Sequence, residues 1–344
     1  MCVPYPRMRE TGIDRLTGSG VRESPLVTPV RSGGPLLWKD FPLWNDPTAP
    51  GGRFHGIPVA QMSPVLTQPS ASSSVGLPLT GRQDRERRYY DEFVKRTPHK
   101  AASLQAVRGE KRPWNPYWYV AQLVVDRFSS PSQRLLDFGC GPGTYAVQMA
   151  HVGYEVHGFD ISPSNIAAAD ELAAGYHVAD RTHFKVGQAE RLEYPDAYFD
   201  VIVGIDILHH VEIRQAILEC MRTLKPGGVA IFKEPVEAPL FDRLRQTRLG
   251  LAVQSKEPSF EHHVTEDERK LTAQDLAVIK EISRVQERHF RLVSRLETLI
   301  GNRLHTRAGA SRLEMLDAVL LERCSPLRRL AGSIVLTCSH SKER

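Results

Sequence analysis

Arg134-Leu-Leu-Asp-Phe-Gly-Cys-Gly-Pro-Gly-Thr144 passes from strand to loop to helix in one short stretch. Leu135, Leu136 and Phe138 form an apolar run that reads as a buried parallel strand. Gly139, Gly141 and Gly143 follow at once, and Thr144 opens a helical pattern (Tyr145, Ala146, Met149, Ala150) that stops at Gly153. Glycines at such a joint let a ligand approach bare backbone, and the helix N-terminus beyond them offers unpaired N–H groups. The spacing Gly-x-Gly-x-Gly alone does not say which ligand that is.

Outward from this stretch, strands and helices alternate. Glu155-Val-His-Gly-Phe reads as a second strand with Asp160 at its end, and Ser162-Pro163 supplies an N-cap with proline in the first turn. The helix it opens (Ile166 to Ala174) stops at Gly175. His183-Phe-Lys-Val and Phe199-Asp-Val-Ile-Val-Gly-Ile are the third and fourth strands, and a helix is expected from about 212 to 224. Lys225-Pro-Gly-Gly then turns the chain into a fifth strand, Val229-Ala-Ile-Phe-Lys. Five such units predict an α/β fold, a doubly wound sheet with helices on both faces. Beyond Glu234-Pro235, Thr272-Ala-Gln-Asp forms a capping box for a helix with Leu276, Ile279 and Ile282. Val285 to Val293 reads as a sixth strand, residues 296 to 330 as two helical segments, and Ser333-Ile-Val-Leu-Thr-Cys as a closing strand that suits an edge hairpin.

The chain has 344 residues, 41% of them hydrophobic, and a formal net charge of +5. No run of Lys and Arg marks a nucleic-acid arm, so a nucleic-acid partner is not expected. Cysteines 2, 140, 220, 324 and 338 form no CxxC pair or His/Cys cluster, which indicates neither a disulfide framework nor a metal site and suits a reducing cytoplasm. No apolar run is long enough for a transmembrane segment. The Arg and Ser content of the N-terminus suggests a transit peptide, but Glu10, Asp14 and Glu23 count against one. Residues 1–80 hold 12 of the 24 prolines and show no helical periodicity, so a disordered tail is expected, with Trp38, Phe41 and Trp44 as its candidate binding motif. Residues 81–129 are expected to form a helical cover in which Tyr89, Tyr90 and Phe93 share one face. The main domain would run over 130–344, with inserts at about 236–282 and 294–330.

Two ligand classes start from a glycine loop with an acid-tipped second strand. The dinucleotide fingerprint wants its third glycine one place later than Gly143, and Asp137 would repel a pyrophosphate. A carboxylate there suits a phosphate-free ligand with an ammonium group, and S-adenosylmethionine is such a ligand.

Leu135-Leu-Asp-Phe-Gly-Cys-Gly-Pro-Gly, with Asp160, Phe199-Asp-Val-Ile and Leu224-Lys-Pro-Gly-Gly, resembles the class I S-adenosylmethionine-dependent methyltransferases over about 130–235. That resemblance implies a seven-stranded, mostly parallel, Rossmann-like sheet whose last strand is antiparallel, and methyl transfer to an O, N, C or S nucleophile. It puts Asp137, Phe138, Gly139, Cys140, Gly141 and Gly143 under the methionine part of the cofactor. Asp160 would accept the ribose hydroxyls, and Ile161 would pack on the adenine. Gln188 and Ala189 stand where the family often has Asp-Ala, and Gly204 and Ile205 would line the methionine side. Tyr90 or Tyr89 would close over the sulfonium.

For chemistry, His209 and His210 follow the fourth strand and are the candidate general bases, with Asp206 and Glu234 close by and His262-His263 weaker. Their other reading is as helix caps or filler beside the cofactor. No Asp/Asn-Pro-Pro-aromatic motif and no Pro-Cys nucleophile follow, which disfavours nucleic-acid base methylation. The leucine and aromatic content of 114–119 and of the segments after 236 points to a small, partly apolar acceptor. Protein or RNA methylation is the enzyme alternative, and a cofactor-binding regulator without turnover is the non-enzyme one.

Overall fold

The computed structural model describes residues 79–96, 104–107, 111–239, 269–297 and 311–341. The proline-rich tail and His262-His263 lie outside the described residues. The elements in chain order are α1 (Gly81–Arg96), α2 (Pro116–Val125), β1 (Arg134–Phe138), α3 (Thr144–Val152), β2 (Glu155–Asp160) and α4 (Pro163–Gly175). They continue with β3 (Thr182–Val186), β4 (Phe199–Ile205), α5 (Ile213–Thr223), β5 (Leu224–Pro235), α6 (Ala273–Ile282), β6 (Arg284–Phe290), α7 (Arg312–Arg323) and β7 (Ser333–Ser339).

The seven strands form one sheet in the order β3-β2-β1-β4-β5-β7-β6. β1 to β5 pair in parallel, and β7 runs antiparallel to both β5 and β6. The order reverses beside β1, between β2 and β4, and a doubly wound sheet opens a crevice at such a point. β1 is central because both its faces are apolar or closely packed. Leu136 and Phe138 enter one core layer with Phe159, Ile202 and Ile217 of α5. Leu135 enters the other with Val120 and Val124 of α2, Tyr145 and Met149 of α3, and Val156.

Local signals in the chain account for the helix ends. Asn115 caps α2 by accepting the N–H groups of Tyr117 and Trp118, ahead of Pro116. Ser162 accepts the N–H of Asn165 at the start of α4, and Thr272 and Asp275 complete the capping box of α6.

Three expectations are revised. Lys225-Pro-Gly-Gly is not a turn ahead of β5 but a bulge within it, because Leu224 already pairs with Phe199 before the register resumes at Val201↔Val229. The aromatics on α1 do more than share one face: Tyr89 stacks on Phe93 at 6.2 Å and meets Tyr90 edge-on at 5.2 Å, while Tyr90 also reaches His210 at 5.9 Å. Tyr117 and Trp118, read as acceptor cover, are buried core residues, because α2 lays its N-terminal turn against β5 and β7.

Candidate active site

The glycine loop leaves β1 with Asp137 buried and Phe138 fully inside the core, where its ring meets Phe159 and Phe232 edge-on. Phe138 can therefore serve a ligand only through its backbone. Gly141 has φ +50° and open space where a Cβ would stand, so it forms a bare shelf. Gly143 has φ +78°, and a Cβ there would come within 2.7 Å of Ala169 on α4. It packs closely against α4, and it caps α3 through backbone alone. Cys140 is buried, its N–H donates to the Phe159 carbonyl, and burial pushes its thiol well above the usual range.

Burial also pushes the Asp137 carboxyl up to about 7, against the pull of the Ala146 N–H and with a further push from the Asp160 carboxylate. Its Oδ2 is buried and, among the described residues, has no hydrogen-bond partner. The Tyr145 hydroxyl, also buried, is in the same position. An orphaned carboxylate oxygen at the carboxyl end of the central strand asks for a donor from outside the chain.

Asp160 is buried at the end of β2 and ties the loop to the next helix. Its Oδ2 accepts the Gly141 N–H at 3.0 Å, and its Oδ1 accepts the Ser162 N–H at 2.9 Å and the Asn165 amide at 3.1 Å. In this arrangement Oδ1 is saturated and Oδ2 keeps one lone pair. Ile161 is half-buried beside it. Ala189 is a core residue after β3, with Gln188 half-buried before it. Gly204 and Ile205 end β4. A Cβ at Gly204 would lie 2.6 Å from the Phe232 ring.

α1 reaches three of the loops at this edge. Gln83 donates to Glu190 after β3, Asp91 accepts the Ser162 hydroxyl and the Ser164 N–H after β2, and Tyr90 and Glu86 both meet His210 after β4. Glu86 Oε1 is 3.3 Å from His210 Nδ1, and the Tyr90 hydroxyl is 3.3 Å from His210 Nε2. Glu86 is buried, so the imidazole is oriented by a carboxylate on one side and a phenol on the other. Nothing in the charge pattern of α1 singled out Glu86. The one usable signal was that residues 86 and 90 are four apart on a helix.

His209 and His210 share a 3-10 turn, Leu208–His210, but face different ways. His209 is buried, with its Nδ1 on Glu234 Oε2 at 2.6 Å. The other Glu234 oxygen accepts the N–H groups of Ile207 and Leu208 and so pins the turn to the end of β5.

Asp206 is a non-glycine residue at φ +54°, a conformation that costs about 1–2 kcal/mol and recurs at functional sites. Its carboxylate accepts Lys233 Nζ at 2.7 and 2.9 Å and the Tyr117 hydroxyl at 3.0 Å. Burial alone would raise Asp206, but the buried Lys233 ammonium outweighs it and holds the carboxyl below its ordinary value. Burial would lower Lys233 in turn, and Asp206 outweighs that to raise it. Sequence reasoning passed over Lys233 and gave Tyr117 no part beside Asp206. A lysine ending the apolar run Val229-Ala-Ile-Phe was the signal available for the first.

A buried acid at the tip of the central strand, a glycine shelf above it and an acid ending the neighbouring strand define the class. The class it resembles is that of the class I S-adenosylmethionine-dependent methyltransferases. The family model described as "Methyltransferase domain" matches residues 136–232. The chain is 41% identical over 97 residues to a 27-O-demethylrifamycin SV methyltransferase of Amycolatopsis mediterranei, covering 28% of this chain and 36% of that one. It is 32% identical over 157 residues to a ubiquinone biosynthesis O-methyltransferase of Cereibacter sphaeroides, covering 39% of this chain and 62% of that one. The chain thus spans less than two thirds of either relative. The solved geranyl diphosphate C-methyltransferase from Streptomyces coelicolor shares the fold, with a TM-score of 0.50 at 13% identity over 77% of this chain and 100% of that one. No helix among the described residues is long and apolar enough to cross a membrane.

Proposed function

We propose that this chain transfers a methyl group from S-adenosylmethionine to an oxygen, nitrogen or carbon nucleophile of a small, partly apolar molecule. The observation that carries the donor assignment is the buried Oδ2 of Asp137, which has no hydrogen-bond partner among the described residues, beside the open Gly141 shelf. A ligand bearing an ammonium group satisfies that oxygen and one bearing a pyrophosphate would be repelled by it. Asp137 and the Gly139–Gly143 backbone would hold the methionine part. Asp160 would take a ribose hydroxyl on the remaining lone pair of Oδ2, with Ile161, Gln188 and Ala189 toward the adenine and Gly204 and Ile205 along the methionine side. Bound there, the donor supplies a methyl group already activated by its sulfonium.

The protein's own work is then alignment, exclusion of water and handling of one proton. His210 is the general base of this reading: Glu86 orients its Nδ1–H, leaving Nε2 beside the Tyr90 hydroxyl to take the proton of the acceptor. His209, buried on Glu234, positions the turn rather than meeting the acceptor. Names of the relatives support a small-molecule acceptor: a rifamycin precursor in one and a ubiquinone precursor pathway in the other. The cytoplasm is the compartment proposed, on the scattered unpaired cysteines.

Calorimetry with S-adenosylmethionine and with NADH tests the donor. Binding of the first alone is expected, and binding of NADH alone would overturn the assignment. Incubation with the donor and a metabolite extract, read by mass spectrometry for products heavier by one methylene, tests the acceptor class. Methylated protein or RNA without a methylated metabolite would overturn it.

A further inference from the structure

The far end of β2, away from the glycine loop, carries a second group of chemistry-bearing side chains. Glu155 and His157 are two apart on the strand and so share a face, and His183 is the register partner of His157 on the edge strand β3. His157 Nε2 lies 3.3 Å and His183 Nε2 3.9 Å from Glu155 Oε1, and the three ligand atoms all lie within 4.8 Å of one another. Ligands bound tetrahedrally at Zn–N and Zn–O distances of about 2.0–2.1 Å sit about 3.3–3.4 Å apart. The Glu155–His157 pair already has that spacing. His183 is half-exposed at the sheet edge, its ring 4.9 Å from that of His157, and would move inward to complete the set.

Two features prepare the site for a cation. The His157 ring is walled by Tyr194, Tyr198 and Phe199, with centroids 5.5–5.6 Å away, which fixes its orientation. Arg134 Nε holds the opposite carboxylate oxygen, Glu155 Oε2, at 3.3 Å while its guanidinium rests on Tyr198. That leaves Oε1 turned toward the two imidazoles, as an outer hydrogen bond does for a ligating carboxylate. The other nearby cation, Lys185, is drawn away onto the Glu193 carbonyl and the Tyr194 ring.

We propose that Glu155, His157 and His183 bind one borderline divalent transition ion of the zinc class, with a fourth position open to water. Two imidazoles and a carboxylate suit such ions, and magnesium or calcium would want more oxygen. The ion would clamp the edge strand β3 to β2, the two strands whose opposite ends lead into Asp160 and Gln188. The site stands apart from the donor pocket and does not rest on the methyl-transfer reading.

Chelator-stripped, tag-free full-length chain titrated with Co2+, and separately with Zn2+, is the test. One equivalent of Co2+ is expected to give tetrahedral or five-coordinate visible absorption, and excess Zn2+ to raise the melting midpoint by several degrees. His183→Ala and Glu155→Gln, both at partly exposed positions, should weaken Co2+ binding at least tenfold while leaving far-UV circular dichroism unchanged. Absence of the Co2+ spectrum in the parent chain would overturn the proposal. So would a spectrum and affinity unaltered by His183→Ala, since the ion would then sit elsewhere.

Discussion

His209 Nδ1 lies 2.6 Å from Glu234 Oε2, and both side chains are buried between the turn after β4 and the end of β5. The second oxygen of Glu234 is occupied by the Ile207 and Leu208 N–H groups, so one carboxylate holds three donors. Glu234→Gln leaves one acceptor oxygen for those three donors. Loss of a buried, charge-assisted bond of this kind costs about 1.5–3 kcal/mol, which urea unfolding will read as a lower midpoint at unchanged slope.

The pairing of His210 with Glu86 and Tyr90 makes a separate prediction. His210→Ala is expected to lower kcat by about two orders of magnitude or more while donor affinity changes little. Tyr90→Phe, which removes only the hydroxyl, should cost less. Unaltered turnover in His210→Ala with a methylatable acceptor would remove the residue from the chemistry.

Asp137 gives a pH dependence whose sign follows from its environment. Its folded carboxyl is raised from 3.8 to about 7, so the folded chain keeps a proton that the unfolded chain has already released. The stabilisation is full below pH 4 and is lost as pH rises through about 7. Glu314, raised by burial from 4.5 to about 8, acts in the same direction. Asp137→Asn should therefore flatten the fall in ligand-free stability between pH 5 and pH 8, measured by urea midpoints. An ammonium-bearing donor favours the ionised carboxylate, so donor affinity in the parent chain should rise with pH up to about 7. Calorimetry in buffers of different ionisation enthalpy should show proton release on binding.

The glycines of the loop separate backbone strain from packing. Gly141→Ala meets open space but carries φ +50°, so it should cost about 1–2 kcal/mol of stability and weaken the donor by occupying the shelf. Gly143→Ala adds a clash with the α4 backbone, 2.9 Å from Ala169 Cα, and should cost clearly more. Thermal melts rank the two, and equal midpoints would contradict the packing role of Gly143.

Lys233 offers a test of buried charge. Lys233→Met removes the partner of Asp206 and one bond to Tyr117, leaving a carboxylate only partly reached by water. Breaking one half of a buried pair costs about 3–5 kcal/mol, and Asp206 is partly exposed, so the lower end is expected in denaturant unfolding.

Periodicity, caps and glycines made most of the fold legible. Strand β4 spans Phe199–Ile205, as its apolar run implied, and Ser162 and Thr272 cap the helices they precede. These features are local, written in residues within a few positions of one another, and nearby sequence specifies them. Asp137 and Asp160 were visible for the same reason, since each ends a strand beside a glycine or a cap.

What the chain could not declare along its length is pairing at a distance. Glu86 with His210, Tyr117 with Lys233 and Asp206, and His209 with Glu234 are separated by 124, 116, 89 and 25 positions. The same holds for His183, which stands beside His157 only because β3 pairs with β2 in that register. No local spacing links Glu155 and His157 with His183, and only the pairing of β2 with β3 brings the three together. Sequence by itself determined the sheet, its loop and a donor without phosphate. The tertiary structure decided which titratable groups meet, because burial and partnership at the carboxyl edge depend on strand order and on where α1 and α2 settle.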